Sequence, residues 1–181
     1  MLIFLHLRYL CSIARKEAVT MKVRMEFEAS AKPHPLAASI NKCMYTGPSL
    51  QPLFWDTMIR SRMSETLLLG GIKNAFQQIG IKEEHSDAFR FVFTLHRKEE
   101  HLQFARVPFG AEAGPFILGA TLRYHIDQRP EEFVETVEEL RTNTYADNLM
   151  KTGGEVEETK KFKEETTHIL EGAKFKEHKW E

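Results

Sequence analysis

The chain has 181 residues and a mass of 21.0 kDa, enough for one domain or a large piece of a bigger one. Hydrophobic residues make up 42% and charged residues 28%, a globular balance that excludes a chain disordered throughout. No apolar run reaches the roughly 18 residues that a membrane span needs. The formal net charge of −1 hides an uneven distribution. Residues 1–60 hold eight Lys/Arg against four Asp/Glu (+4), residues 61–130 nine against eight (+1), and residues 131–181 eight against fourteen (−6). A basic first third can attract phosphates and an acidic last third can hold a cation, although solvated surface accounts for both.

Met1 to Ala14 (MLIFLHLRYLCSIA) has the apolar look of a signal sequence, but His6 and Arg8 interrupt it and no positive charge precedes it. It reads as an amphipathic helix or a stray leader, and an intracellular, cytoplasmic protein is expected. Two cysteines, Cys11 and Cys43, allow at most one disulfide and no zinc cage of cysteine pairs. His96 and His101 lie in a charged stretch and read as surface residues.

Residues 21–27 (MKVRMEF) alternate between apolar and charged side chains and predict a strand. Ala31 to Gln51 is loop-like, broken by Pro33, Pro35, Gly47 and Pro48. Pro52 suits the first turn of a helix running to Met63, with Leu53, Phe54, Met58 and Ile59 on one face. Thr66 to Ile72 is almost wholly apolar, the pattern of a buried strand. A helical turn or two follows, from Lys73 to Ile79. Phe89–Leu95 and Leu102–Val107 flank a charged tip, His96 to His101, as in an antiparallel hairpin. Ala113 to Gln128 reads as a helix with Phe116, Ile117, Ala120, Tyr124 and Leu118 inward, and Pro130 opens another through Leu140. Thr142–Tyr145 and Leu149–Thr152 flank Ala146-Asp147-Asn148 as a second hairpin. Glu155 to Glu171 is a charged helix with a thin stripe of Val156, Phe162, Ile169 and Leu170, and the C-terminus ends on an alternating strand pattern. Helices between hairpins place the fold in the α+β class rather than among doubly wound parallel sheets.

Two features carry possible chemistry. One is the apolar strand Leu67-Leu68-Leu69-Gly70-Gly71-Ile72 running into Lys73-Asn74-Ala75-Phe76. The other is Tyr145-Ala146-Asp147-Asn148, with a carboxylate at the tip of a tight turn. Such a carboxylate is placed for Mg²⁺, which favours oxygen ligands and is usually held by one or two carboxylates together with substrate phosphates. Asp and Asn are also ordinary turn formers.

The blocks around these features form an ordered series: Lys22-Val23-Arg24 with Glu28-Ala29-Ser30-Ala31; Cys43-Met44-Tyr45-Thr46-Gly47-Pro48-Ser49-Leu50-Gln51-Pro52-Leu53; and Ile72-Lys73-Asn74-Ala75-Phe76-Gln77-Gln78-Ile79. Asp87-Ala88-Phe89-Arg90-Phe91 follows, then Arg106-Val107-Pro108-Phe109-Gly110 with Pro115-Phe116-Ile117-Leu118-Gly119-Ala120-Thr121, then Tyr145-Ala146-Asp147-Asn148-Leu149. Together they closely resemble the reverse transcriptase domain of Bel/Pao-type LTR retrotransposon polyproteins, from about Glu17 to Glu181, with residues 1–16 outside the resemblance.

The resemblance implies a partial right hand. Residues 17–63 would be a fingers segment and residues 64–181 a palm, its antiparallel sheet packed on helices. The thumb, ribonuclease H, protease and integrase portions would lie outside this chain. It implies RNA-directed DNA synthesis on a template–primer from deoxynucleoside triphosphates, by in-line transfer between two Mg²⁺ ions. Arg24 matches the arginine that steadies the triphosphate, Phe76 the aromatic gate under the sugar, and Phe109 and Gly110, with Pro115, the loop and helix start beside the template base and nucleotide. Glu28 stands where the family usually has Asp. Asp147 matches the first hairpin aspartate, a metal ligand. Two departures stand out. Gly71 occupies the place of the metal-binding aspartate that ends the first strand, and Asn148 that of the second hairpin aspartate. One of three carboxylates remains, so Mg²⁺ affinity and transition-state charge stabilisation fall by several kcal/mol. The expectation is an inactive copy. The alternative is a non-catalytic nucleic-acid-binding fragment that uses the basic first third, or a decayed relic.

Overall fold

A computed structural model describes residues 10–14, 23–32, 34–95, 98–128 and 131–181, with backbone alone for 10–14, 23–26, 94 and 95. The readings of residues 1–9, of His96 and of Pro130 lie outside these. In chain order the elements are β1 (Leu10–Ala14), β2 (Val23–Phe27), α1 (Ile40–Cys43), α2 (Phe54–Met63), β3 (Leu67–Ile72), α3 (Ala75–Gln78) and α4 (Glu83–Ser86). Then come β4 (Arg90–Leu95), β5 (Lys98–Gln103), α5 (Gly114–Ile126), α6 (Val134–Asn143), β6 (Asn148–Thr152), α7 (Val156–Gly172) and β7 (Glu177–His178). The class is α+β with small antiparallel sheets. No helix among the described residues is long and apolar enough to cross a membrane.

The chain divides into two compact units, each drawn from two segments. The first comprises residues 1–47 and 79–114. In it β1 pairs antiparallel with β2, from Leu10↔Phe27 to Ala14↔Val23. Leu10–Ala14 is therefore strand, which corrects the amphipathic-helix reading of that stretch. A short apolar segment facing an alternating one gains a ladder of hydrogen bonds that an isolated helical turn cannot match. Phe27 ends β2 in the core with Ala29, Ile40, Phe89 and Ala111, its ring 5.3 Å from Phe104 and 6.0 Å from Phe89. Burying such a ring contributes about 1.5–3 kcal/mol. The loop expected over 31–51 contains the short α1, capped by the Ser39 hydroxyl accepting from the Lys42 amide (3.3 Å). The hairpin is tighter than expected: Leu95 is opposite Lys98, so Lys98 to His101 belong to β5 rather than to the tip. All six β5 residues are exposed, and charge suits an edge strand that must not recruit another.

The second unit comprises residues 48–78 and 115–181. Its sheet has the order β6-β3-β7, antiparallel throughout. Alternation along β3 divides two faces. Gly70 and Ile72, with Leu149 across from Gly70, are buried. α6 packs on β6 and on α7, and the core holds Leu118, Leu122, Val137, Leu140, Phe162, Ile169 and Leu170. The Thr136 hydroxyl donates to Glu165 (2.5 Å) and His125 Nε2 bonds the Ile169 carbonyl (2.6 Å), tying α5, α6 and α7 together.

The other face of β3 carries Leu67 (40% exposed), Leu69 (39%) and Gly71. β3 is therefore half-open, not fully buried, because helices cover only one side. Two helix faces also differ from expectation. In α5 the inward residues are Leu118, Leu122 and Ile126, one every four positions, while Tyr124 points outward. In α2 it is Thr57 that is buried, and Leu53, Phe54 and Ile59 are exposed. Finally, Thr142 and Asn143 end α6, so the arm expected at Thr142–Tyr145 shrinks to the single bridge Tyr145↔Asn148. The strand partner of β6 is β3.

Candidate functional site

The Tyr145–Asn148 turn is closed by two reciprocal backbone bonds, each 2.9 Å, leaving Ala146 and Asp147 as its two central residues. Ala146 has φ +53°, which puts the turn in the primed class that matches strand twist. A side chain in this left-handed region costs about 1–2 kcal/mol, so the sheet imposes the conformation. The anchor is direct: the Ile72 amide donates to the Asp147 carbonyl (2.8 Å), and Asn148 is the Cα partner of Gly71. The end of the apolar strand and the acidic turn, distant in sequence, meet at one sheet edge.

Around this junction the Asp147 side chain is half-buried, Asn148 is exposed and Phe76 is half-buried on α3. The chain reaches α3 from β3 through Lys73 and Asn74, the latter at φ +51°. On the other side of Gly71 stands His178, its Cα partner in β7. A Cβ placed on Gly71 would lie 3.2 Å from His178 Nε2 and 3.3 Å from Cδ2. Beside Gly71 stand the Asn148 carboxamide and the His178 imidazole, and one position along, Ile72 is flanked by the carboxylate-bearing Asp147 and Glu177. This set lacks the carboxylates that the resemblance places at positions 71 and 148, and Mg²⁺ is a hard cation served by oxygen ligands in near-octahedral geometry. No group of three or more His, Cys, Asp or Glu among the described residues is arranged to hold a metal ion. A cavity of about 40 Å³ behind the turn, lined by Leu122, Ile126, Leu140, Arg141 and Ala146 among others, has room for one or two waters. Arg141 is engaged there: Asp127 accepts from its Nε (2.9 Å) and Nη2 (2.7 Å). Those bonds, and then Glu138, hold its pKa above the ordinary value despite a smaller opposing effect of burial.

Arg24, Glu28, Phe109 and Gly110 lie in the first unit, and Pro115 opens the second segment of the other. Arg24 is on β2 opposite Ile13. Three residues on, the Phe27 amide donates to the Phe109 carbonyl (3.0 Å). Gly110 has φ +97°, and a Cβ there would collide with the Phe27 carbonyl oxygen, so glycine is required by both conformation and space. Asn41 holds this loop. Its Nδ2 donates to the Gly110 carbonyl (3.1 Å) and the Ser30 hydroxyl (3.1 Å), and its Oδ1 accepts from the Glu112 amide (3.0 Å). Phe27 thus joins the strand of Arg24 to Phe109 and Gly110, and Gly71, Asp147 and Asn148 meet at a separate junction.

Asn41 and His178 are residues that sequence reasoning missed. The signal for Asn41 was its place one turn into a helix capped by Ser39. For His178 it was the alternating Glu177-His178-Lys179-Trp180, which marks a strand without naming its partner. Comparison of the chain with known protein families and with curated proteins yields no match.

Proposed function

We propose that this chain is a reverse transcriptase domain segment of the Bel/Pao retrotransposon type, with fingers and palm portions of a right hand, in which the polymerase centre has lost two of its three metal-binding carboxylates and no longer synthesises DNA. One observation carries the reading. Gly71 and Asn148, the two positions where the motif series calls for aspartate, are direct partners across β3 and β6, with Asp147 in the turn that leads into β6. An arbitrary pair of motif-like stretches would have no reason to meet at one register. Metal-assisted nucleotidyl transfer needs charge at that junction, and positions 71 and 148, where aspartate is expected, supply none. The chemistry left to the chain is binding, through cationic side chains on backbone phosphates.

The test is primer extension on an RNA template with Mg²⁺, run beside template–primer binding as a function of salt. The expected result is no extension at any Mg²⁺ concentration, with binding that weakens steeply as salt rises from about 50 to 200 mM. Extension by the natural chain would refute the inactivity. Absence of template–primer binding at the lower salt would refute the polymerase reading.

A further inference from the structure

The C-terminal strand crosses the candidate site on the edge opposite Asn148 and is fastened there at both ends. The Lys73 amide donates to the Lys176 carbonyl (2.7 Å), and Leu69 and Glu181 exchange two backbone bonds of 2.8 Å. Gly71 pairs with His178 while Leu69 pairs with Glu181, so the C-terminal strand carries one extra residue. Lys179, at φ +54°, is where it fits, in the manner of a β-bulge. The bulge allows His178 to lie over Gly71 and Trp180 over Gly70. Gly71 does not have a positive φ, so its backbone accepts any side chain. What opposes one is the imidazole, closer to the Cβ position than the 3.5–4.0 Å of an ordinary carbon contact.

We propose that His178 and Gly71 are a matched pair in which the imidazole takes the volume of a side chain at position 71, making the C-terminal strand a plug over the candidate site. A carboxylate returned to position 71 must move the imidazole by a few tenths of an ångström, and a divalent cation there must compete with His178 for that carboxylate. The packing half of this inference stands on the contact itself, and the metal half rests on the reading of the previous subsection.

The experiment uses the full chain, with Gly71→Asp, His178→Ala and their combination, each alone and with Asn148→Asp. Thermal unfolding and titration with Mn²⁺ alone, followed by electron spin resonance, are the readouts. Gly71→Asp is expected to lower the Tm, and His178→Ala to restore most of that loss. Mn²⁺ affinity should rise when His178→Ala is added to Gly71→Asp/Asn148→Asp, because the carboxylate at position 71 is then free of the imidazole. If Gly71→Asp fails to fold, recovery of soluble protein on adding His178→Ala supports the pair, and no recovery overturns it. Additive Tm shifts, or equal Mn²⁺ affinity with and without His178, also overturn it. Mn²⁺ affinity governed by His178 upholds the plug even if the chain fails to bind template–primer at low salt, which counts against the polymerase reading alone, so the two fail separately.

Discussion

Replacing Gly70 by alanine probes the buried side of the same strand pair. A Cβ at Gly70 would fall 2.5, 2.6 and 2.8 Å from Cε3, Cζ3 and Cδ2 of Trp180. Ordinary contact is about 3.5–4.0 Å, so the ring must retreat by about 1 Å. It has little freedom to do so. The indole stands edge-on to Phe162 at 6.4 Å and 87°, its Nε1 is enclosed, and the next residue is bonded to Leu69 through both backbone groups. Overpacking of this kind costs about 1–3 kcal/mol, and the gain from alanine over glycine in a strand returns about 0.5–1 kcal/mol. Gly70→Ala should therefore destabilise the protein by about 1–2 kcal/mol. In a Trp180→Ala background the obstruction is gone and the same substitution should stabilise by about 0.5–1 kcal/mol. The assay is urea unfolding followed by circular dichroism and by tryptophan emission in a Trp55→Phe background. Trp55 is 74% exposed, so its removal isolates Trp180 at little cost. Gly70→Ala should shift that emission to the red as the indole gains water. A neutral or stabilising Gly70→Ala with Trp180 present, together with unchanged emission, would refute the packing argument.

Other substitutions test the remaining joints. Ala146→Gly removes a side chain from φ +53° and should stabilise the turn by about 0.5–1 kcal/mol after the added chain entropy is subtracted, read as a higher urea midpoint. Asn41→Ala breaks three hydrogen bonds around Gly110 and should cost about 1–3 kcal/mol, with loss of amide protection at Glu112 in hydrogen exchange. Glu139→Ala should cost about 1–3 kcal/mol in the same unfolding assay. Its carboxylate accepts from Asn143 Nδ2 (2.9 Å) and the Thr152 amide (3.4 Å) and pairs with Lys151 (3.4 Å), joining α6 to β6.

The contrast between correct and corrected expectations follows from what each element buries. α5 and α7 were legible because helical spacing of apolar residues is a local property. Faces were less so: Tyr124 and Ile59 are as apolar in sequence as Leu122, and only the packing of neighbouring elements decides which enters the core. The arm at Thr142–Tyr145 failed for a related reason. Those residues suit a strand, but α6 runs on to Asn143 and β6 finds a better partner in β3. The hairpin register at Leu95↔Lys98 placed charged residues in a strand because both faces of that strand meet water.

The sequence by itself determined the α+β class, most helices and strands to within a few residues, and a turn that presents Asp147. It also named Gly71 and Asn148 as positions to watch, from the order of the motif blocks alone. Only the tertiary structure decided that these two residues are partners, that Gly70 and Gly71 lie under Trp180 and His178, and that one face of β3 stays open. Those are facts of strand pairing. Pairing depends on contacts between segments far apart in the chain, on a one-residue bulge at Lys179, and on which helices cover which side. None of these leaves a local signature in the order of the amino acids.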